Sequence, residues 1–242
     1  MQALIFAAGK GTRLKPLTDV IPKALVPVGD MPLLQRIYLK VLDAGAGKVV
    51  VNVHHHAPQL KNYCSLLSAR YGVEIGISDE SDRLLETGGG IKKARSMFSP
   101  EPVLIHNCDI LSNVNLRQFY GAGTDADALL LVSERNTSRY LLFSEDMRLV
   151  GWTNVQTGEV KTPYRELPSN VRKLAFAGIH VMNPTMFPLM DEWGDAFPII
   201  DFYLRHCAEM RIQGYVQPDL RLLDVGKLDT LENAADFLNA LR

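Results

Sequence analysis

The sequence has few cysteines, no long apolar run and almost no excess of charge. Its three cysteines, Cys64, Cys108 and Cys207, are an odd number without metal-type pairing, which predicts reduced thiols in a cytoplasmic protein. No apolar run approaches the ~20 residues that span a bilayer, and the first run is too short, and lacks the basic flank, for a signal peptide. A net charge of −1 gives no reason to expect nucleic acid or an anionic membrane as a partner.

The length and the pattern of hydrophobic residues predict one α/β domain. The 242 residues, 47% of them hydrophobic, can bury a large core over residues 1–242. Strand and helix patterns alternate in the first half, which predicts a parallel sheet with binding loops at the carboxyl ends of its strands. Closely spaced strand patterns in the second half predict antiparallel or mixed strands against the sheet edge. We therefore expect a three-layer, Rossmann-like fold around a mixed sheet.

Hydrophobic periodicity places the elements along the chain. Predicted helices cover residues 32 to 45 or 47, 58–69, 89–97, 184–190, 198–210 and 228–241. Predicted strands cover residues 3–7, 48–53, 73–78, 103–107, 127–133, 140–143, 149–153, 173–182, 211–216 and 221–225.

A loop of small residues follows the first predicted strand. Small residues at positions 7, 8, 9 and 11 let backbone N–H groups approach a bulky anion without a Cβ in the way. Arg13 and Lys23 add two cations, so the loop suits a triphosphate, which needs many donors and some charge compensation. The residues predicted to contact the nucleotide here are Ala7, Ala8, Gly9, Gly11, Thr12 and Arg13.

The spacing of this loop excludes two other phosphate-binding loops. A dinucleotide fingerprint needs a glycine or alanine where the chain has Leu14, and Pro16 and Pro22 indicate a long loop instead of an immediate helix. A Walker-type loop needs Ser or Thr after its lysine, but Lys10 is followed by Gly11. A bare Gly-x-Gly would also fit an ordinary glycine-rich turn.

A longer string in this region is more specific. The segments 7–18 (AAGKGTRLKPLT) and 22–28 (PKALVPV) resemble the signature of the sugar-1-phosphate nucleotidyltransferases. The resemblance implies a GT-A-like sheet and transfer of a nucleotidyl group from a nucleoside triphosphate to a sugar 1-phosphate, with release of pyrophosphate. It also implies that Arg13, beside the pyrophosphate, and Lys23, near the reacting phosphates, are catalytic. Many relatives continue into a C-terminal β-helix, which we do not expect here.

Two aspartates resemble the metal ligands of this family. Asp109 follows the predicted strand 103–107, at the active edge of the sheet, where an aspartate is also a common turn or cap residue. The resemblance implies that Asp109 binds Mg²⁺ and that Asp224, in the segment 222–226 (LLDVG), is its partner. Lys227 replaces the usual threonine. Carboxylates and phosphate oxygens together give the oxygen-rich shell that Mg²⁺ prefers.

The nucleoside and sugar contacts are expected from two further segments. Three glycines in 85–91 (LETGGGI) would leave room for a base or ribose, although a flexible loop would have the same composition. The resemblance implies that Thr87 and Gly88 contact the nucleoside. The implied sugar contacts are Asn107, Gly151 and Gly178. Residues 1–125 would then be the nucleotide-binding half, and residues 126–242 the sugar-binding half that supplies the second metal ligand.

The substrate pair is less well defined by the residues. The segment 85–91, together with 51–56 (VNVHHH), resembles the short bacterial N-acetylmuramate 1-phosphate uridylyltransferases and mannose or heptose 1-phosphate guanylyltransferases. UTP with N-acetylmuramate 1-phosphate, or with a similar hexose 1-phosphate, is the first expectation. GTP with mannose or heptose 1-phosphate, CTP with phosphocholine, and a non-catalytic nucleotide-sugar sensor are the alternatives. We expect a monomer or a small homo-oligomer.

Three consecutive histidines, His54 to His56, raise the hypothesis of a zinc site. Adjacent residues at the end of a strand point in different directions, and no Cys, Asp or Glu lies at zinc-site spacing around them. They are therefore expected to begin the loop before the next helix.

Overall fold

The structure, a computed structural model, describes residues 1–241 and confirms an α/β fold. The helices are α1 (Leu33–Asp43), α2 (Ala57–Tyr71), α3 (Glu86–Ala94), α4 (Leu116–Ala122), α5 (Ile199–His206), α6 (Leu228–Glu232) and α7 (Ala234–Ala240). The strands are β1 (Gln2–Phe6), β2 (Pro27–Val28), β3 (Met31–Pro32), β4 (Lys48–Val53), β5 (Ile75–Asp79), β6 (Val103–Asn107), β7 (Ile110–Ser112), β8 (Ala128–Ser133), β9 (Arg139–Phe143), β10 (Leu149–Asn154), β11 (Glu159–Lys161), β12 (Arg172–Met182), β13 (Ile212–Val216) and β14 (Leu222–Asp224).

Ten of these strands form one mixed sheet. β1 is flanked by β4 and β6, both parallel to it, and β5 extends the parallel part beyond β4. The long β12 runs antiparallel to β6, β8 and β9, which joins the parallel part to the antiparallel strands β9 to β11. Because β1, β4 and β6 run in one direction, the loops after them emerge at the same edge of the sheet.

Helices cover both faces of the sheet, which gives the three layers that the sequence predicts. Ala3 and Ile5 of β1 belong to a core that includes buried residues of α1 and α2. Leu4, on the opposite face, belongs to a second core with buried residues of α3 and α5. All three side chains are fully buried, which explains why the strand is apolar at successive positions instead of alternating.

Several elements differ from the sequence prediction. The short helix α4 was not predicted; Gly121 lowers its helix propensity, but the side chain of Asn115 caps it by accepting from the N–H of Gln118 at 3.0 Å. The predicted C-terminal helix is divided at Asn233 into α6 and α7. The strands β7 and β14 form a separate antiparallel pair, with Asp224 opposite Ile110. Residues 1–241 contain no β-helix, and none of their helices has the length and apolar character needed to cross a bilayer.

The three glycines of segment 85–91 all lie inside helix α3, which begins at Glu86, three residues before the predicted helix 89–97. A Cβ at Gly88 would overlap the ring of Phe197, and a Cβ at Gly89 would overlap the carbonyl oxygen of Asp195. The N–H groups of Gly88 and Gly89 both donate to the carbonyl of Phe197, at 2.8 and 3.3 Å. The glycines therefore allow the first turn of α3 to pack directly on the backbone of residues 195–197.

This packing predicts a site-specific effect on stability. Gly89→Ala is expected to lower the free energy of unfolding by about 1–3 kcal/mol, because backbone atoms of residue 195 cannot move aside as a flexible side chain would. Urea denaturation followed by circular dichroism measures the change. The matched control is Gly121→Ala in α4, where nothing lies within 4 Å of the added Cβ; it should be neutral or stabilising by up to about 1 kcal/mol. Equal effects in the two variants would contradict the packing argument.

Candidate active site

A cavity of about 480 Å³ opens where the loops after β1, β4 and β6 emerge. It is lined by the phosphate-loop residues, the ends of β4 and β6, and the start of α3. Ten of the residues predicted from the sequence line it: Ala7, Ala8, Gly9, Gly11, Thr12, Arg13, Lys23, Thr87, Asn107 and Asp109. Folding thus brings together most of the positions predicted from separate parts of the chain.

The loop after β1 folds back on itself at Gly11. This residue has a φ of 65°, in the left-handed region that favours glycine. Its carbonyl accepts from the hydroxyl of Thr18 at 2.8 Å, and a Cβ at Gly11 would lie only 2.9 Å from the Cβ of Lys23. The second glycine of the motif is therefore required by the close approach of Thr18 and Lys23 to the backbone.

The side chain of Asn52, at the end of β4, holds the start of this loop. Its oxygen accepts from the N–H groups of Ala7 at 2.7 Å and Ala8 at 3.3 Å, and its nitrogen donates to Glu80 at 2.8 Å. Burial raises the pKa of the Glu80 carboxyl, which is fully buried, and Glu80 also accepts from the N–H of Leu85 at 3.2 Å. Sequence reasoning missed both residues; a lone asparagine in the apolar strand KVVVNV was the available signal.

The bonds to Asn52 change which backbone donors a phosphate could use. Ala7 and Ala8 line the cavity, but their N–H groups are already donated to Asn52, contrary to the expectation that they face an anion. Within residues 1–241, the N–H groups of Gly9, Lys10 and Gly11 have no protein acceptor. The donors left for a ligand thus begin at Gly9.

The pairing of β7 with β14 brings the two predicted metal ligands to one place. The N–H of Val225 donates to the carbonyl of Asp109 at 2.8 Å, next to Asp224. The ammonium of Lys23, a buried residue, forms an ion pair with the carboxylate of Asp109. A Cβ at Gly226 would lie 2.8 Å from an Asp224 oxygen and 2.9 Å from an Arg13 nitrogen, so both groups border this glycine.

The donor set of this acidic pair fits a hard divalent cation. Desolvation and the negative charge of Asp109 raise the pKa of Asp224, and Lys23 and Arg13 oppose that rise. Two carboxylates that repel each other in this way are an arrangement that a bound cation relieves. No group of three or more His, Cys, Asp or Glu side chains in the described chain could hold a metal, so substrate oxygens would complete the shell.

The start of α3, where the sequence predicts nucleoside contacts, forms one wall of the cavity. Thr87 lines the cavity together with Leu84 and Glu86, and its hydroxyl accepts from the N–H of Ile199 at 2.9 Å. Gly88 does not line the cavity, because it faces Phe197 and its N–H is already used. Its role in the structure is helix packing, which the sequence motif alone did not distinguish from a ligand contact.

The three predicted sugar contacts are placed differently from one another. Asn107 lines the cavity, and Gly178 lies behind it with a φ of 73°, where a Cβ would be 2.7 Å from the Asn107 amide nitrogen. Gly151 does not line the cavity; a Cβ there would lie 2.9 Å from the carbonyl of Lys161. Gly178 thus leaves space for the Asn107 side chain, and Gly151 allows β10 to approach β11.

The three histidines precede helix α2, as expected. His56 has a φ of 54° at the residue before the helix, and its ring nitrogen lies 3.4 Å from the carbonyl of Thr18. The centres of the His55 and His56 rings are 4.0 Å apart. In the described part of the chain, none of the three lines the active cavity, although His56 supports the loop that does.

Residues 2–240 match the protein family described as nucleotidyl transferase. The chain is 37% identical over 248 residues to the N-acetylmuramate alpha-1-phosphate uridylyltransferase of Neisseria meningitidis, covering 99% of both chains. It is 31% identical over 230 residues to the enzyme of the same name from Caulobacter vibrioides, covering 93% of this chain and 91% of that one.

Solved structures share the fold at lower sequence identity. HddC from Yersinia pseudotuberculosis, complexed with GMP-PN, has a TM-score of 0.75 at 18% identity, covering 98% of this chain and 99% of that one. A putative glucose-1-phosphate thymidylyltransferase from Bacillus anthracis has a TM-score of 0.81 at 16% identity, covering 98% and 94%.

The family match spans almost the whole described chain, and two relatives above 30% identity align over nearly their full lengths. The signature predicted from the sequence lies in the cavity that the fold builds. The chain therefore belongs to the nucleotidyl transferase family, as a sugar-1-phosphate nucleotidyltransferase.

Proposed function

We propose that the enzyme transfers a uridylyl group from UTP to N-acetylmuramate 1-phosphate and releases pyrophosphate. Two relatives with this printed activity, aligned over nearly their full lengths, support the substrate pair. The observation that carries the reaction is the meeting of Lys23, Arg13 and the two aspartates beside the donors at Gly9 to Gly11.

The reaction requires the protein to position the two substrates and to neutralise the charge of their phosphates. An oxygen of the sugar phosphate attacks the α-phosphorus of the triphosphate in line, and the bond to the pyrophosphate oxygen breaks. The nucleophile is already an anion at neutral pH, so no general base is required. Lys23 would neutralise charge between the reacting phosphates, and Arg13 with the free N–H groups would hold the leaving pyrophosphate.

Asp109 and Asp224 are the residues that would hold Mg²⁺. The ion would supply positive charge between two phosphates that otherwise repel each other. Lys23 would hold Asp109 in position, since its ammonium already pairs with that carboxylate. In this arrangement residues 1–125 supply the nucleotide loop, and residues 126–242 supply Asp224 and the sugar side.

The three cysteines support a reducing compartment such as the cytoplasm. Cys64, Cys108 and Cys207 are all free and buried, and burial raises the pKa of the Cys64 thiol to about 12. Buried thiols of raised pKa react slowly, so they would serve as small core residues.

A second candidate is guanylyl transfer from GTP to mannose 1-phosphate. The catalytic subunit beta of a Drosophila pseudoobscura mannose-1-phosphate guanylyltransferase is 29% identical over 192 residues, which cover 48% of that protein. Glu86 is exposed and lines the cavity, and its carboxylate could accept from the adjacent N–H donors that guanine presents. Neither CTP with phosphocholine nor a sensor role is favoured by a specific contact.

Pyrophosphate release with Mg²⁺ tests the substrate pair. UTP, GTP, CTP and dTTP are each combined with N-acetylmuramate, N-acetylglucosamine, mannose, heptose and glucose 1-phosphates and with phosphocholine. We expect the highest kcat/KM for UTP with N-acetylmuramate 1-phosphate. A higher value for GTP with mannose or heptose 1-phosphate would replace the first candidate by the second. If no pair released pyrophosphate while nucleotide binding stayed intact, the result would support the sensor role.

Lys23→Met is expected to lower kcat by about 100-fold or more, because a cation aimed at the reacting phosphates is lost while the buried aliphatic stem is kept. Steady-state pyrophosphate release measures the change. The control is Lys15→Met, in the same loop but exposed and paired with Asp19 at 2.9 Å; its kcat should stay within about twofold of the wild type. Equal kcat values for the two variants would contradict a role of Lys23 in the reaction.

Asp109→Asn is expected to weaken Mn²⁺ binding, used as a probe for Mg²⁺, by at least about tenfold, because a charged ligand becomes a neutral amide. Titration of the Mn²⁺ electron paramagnetic resonance signal measures affinity independently of turnover. Asp236→Asn, on the exposed surface of α7, is the control and should bind Mn²⁺ normally. Unchanged Mn²⁺ affinity in a folded Asp109→Asn protein would contradict the metal assignment.

A further inference from the structure

A second groove, of about 560 Å³, lies on the sugar-binding half of the enzyme. Its walls come from β9 to β12, from the segment before β9 and from the start of α5, and they include Arg135, Arg139, Trp152 and Phe176. None of these four residues lines the active cavity.

The groove adjoins the active cavity through residues 197–201. Pro198, Ile200 and Asp201 line the groove, while the N–H of the intervening Ile199 donates to Thr87 of the active cavity at 2.9 Å. A substrate could thus extend from one space toward the other across a single segment.

Arg135 is also connected to the active cavity through β12. It donates to the carbonyl of Phe176, and Gly178, two residues further along the strand, lies against Asn107 of the active cavity. The groove and the cavity therefore share this strand as well as residues 197–201.

The groove carries positive charge that the protein does not neutralise. Lys161 is compensated by Asp201 at 3.3 Å and by Glu159 at 3.9 Å. Arg135 and Arg139 form no ion pair with any carboxylate of residues 1–241. One Arg135 nitrogen donates to the carbonyl of Phe176 at 3.0 Å, which orients the guanidinium and leaves its other N–H groups for a ligand.

Aromatic side chains line the same groove. Trp152 and Phe176 are half-buried, and the ammonium of Lys161 lies 5.3 Å from the centre of the Trp152 ring. A groove with two uncompensated guanidinium groups and aromatic walls suits a small organic anion that carries an apolar group.

We propose that Arg135 and Arg139 bind the carboxylate of the lactyl ether on the sugar ring and so select N-acetylmuramate over N-acetylglucosamine 1-phosphate. The inference rests on the proposed function. The two sugars differ only in this substituent: N-acetylmuramate has a lactyl ether with one methyl and one carboxylate, where N-acetylglucosamine has a hydroxyl. The methyl would face the aromatic wall, and the carboxylate would accept from the guanidinium groups.

The test compares kcat/KM for the two sugar 1-phosphates, with UTP, in the wild type, Arg135→Gln, Arg139→Gln and the double variant. We expect the wild type to prefer N-acetylmuramate 1-phosphate, and each substitution to lower the ratio of the two values by about 10- to 100-fold, since a charge-assisted hydrogen bond is lost. The control is Arg165→Gln, exposed in the same half but outside the groove, which should keep the wild-type ratio.

The outcomes separate this inference from the proposed function. A wild type that uses both sugars equally, or variants that lose activity on both to the same extent, would overturn the role of the two arginines while leaving uridylyl transfer intact. A wild type that is inactive with both sugars but active with another pair in the substrate panel would overturn the proposed substrate, and the carboxylate assignment with it.

Discussion

The buried amide of Asn52 is the contact on which the active cavity depends. Its oxygen accepts from two consecutive backbone N–H groups where β1 ends, and its nitrogen donates to the buried Glu80. An unpaired donor or acceptor at such a site costs about 1–3 kcal/mol, so the bonds fix the direction in which the chain leaves the sheet. The glycine-rich loop begins from that fixed point, so the N–H groups of Gly9 to Gly11, which have no protein acceptor, follow directly after an anchored segment.

The positions of the charged side chains are a second constraint on the site. Lys23 is held by Asp109, which precedes β7, while Asp224 and Arg13 border Gly226, which follows the partner strand β14. Each carboxylate thus has a cation near it, but desolvation and the negative charge of Asp109 still raise the pKa of Asp224. A ligand that brings both a divalent cation and phosphate oxygens would relieve the repulsion between the two carboxylates, which is the role that we propose for Mg²⁺ and the substrates.

The sequence predicted the fold and much of the site where residue type and local geometry depend directly on each other. The left-handed Gly11 and the apolar strand before it are examples, because few other residues could occupy those positions. The proximity of Asp109 and Asp224 came only from a family resemblance, since the β7 and β14 pairing that creates it has no local signal. Asn52 and Glu80 were missed because a polar residue in a buried strand does not reveal its partner.

Helix α3 begins at Glu86, three residues before the predicted start at Gly89. Three consecutive glycines have low helix propensity and typically indicate a loop, but here tertiary packing on residues 195–197 outweighs propensity. Helix formation at this place depends on a contact with a segment about a hundred residues away, which single-sequence patterns do not contain.

That same contact has a consequence for how the enzyme can change during evolution. Residues 197–201 support the cavity wall at Thr87 on one side and form part of the charged groove on the other. Under the proposed function, a substitution that reshapes the groove for a new sugar would therefore also move the support of the nucleotide. We expect nucleotide and sugar preferences to change together among descendants of this enzyme, through substitutions on both sides of residues 197–201.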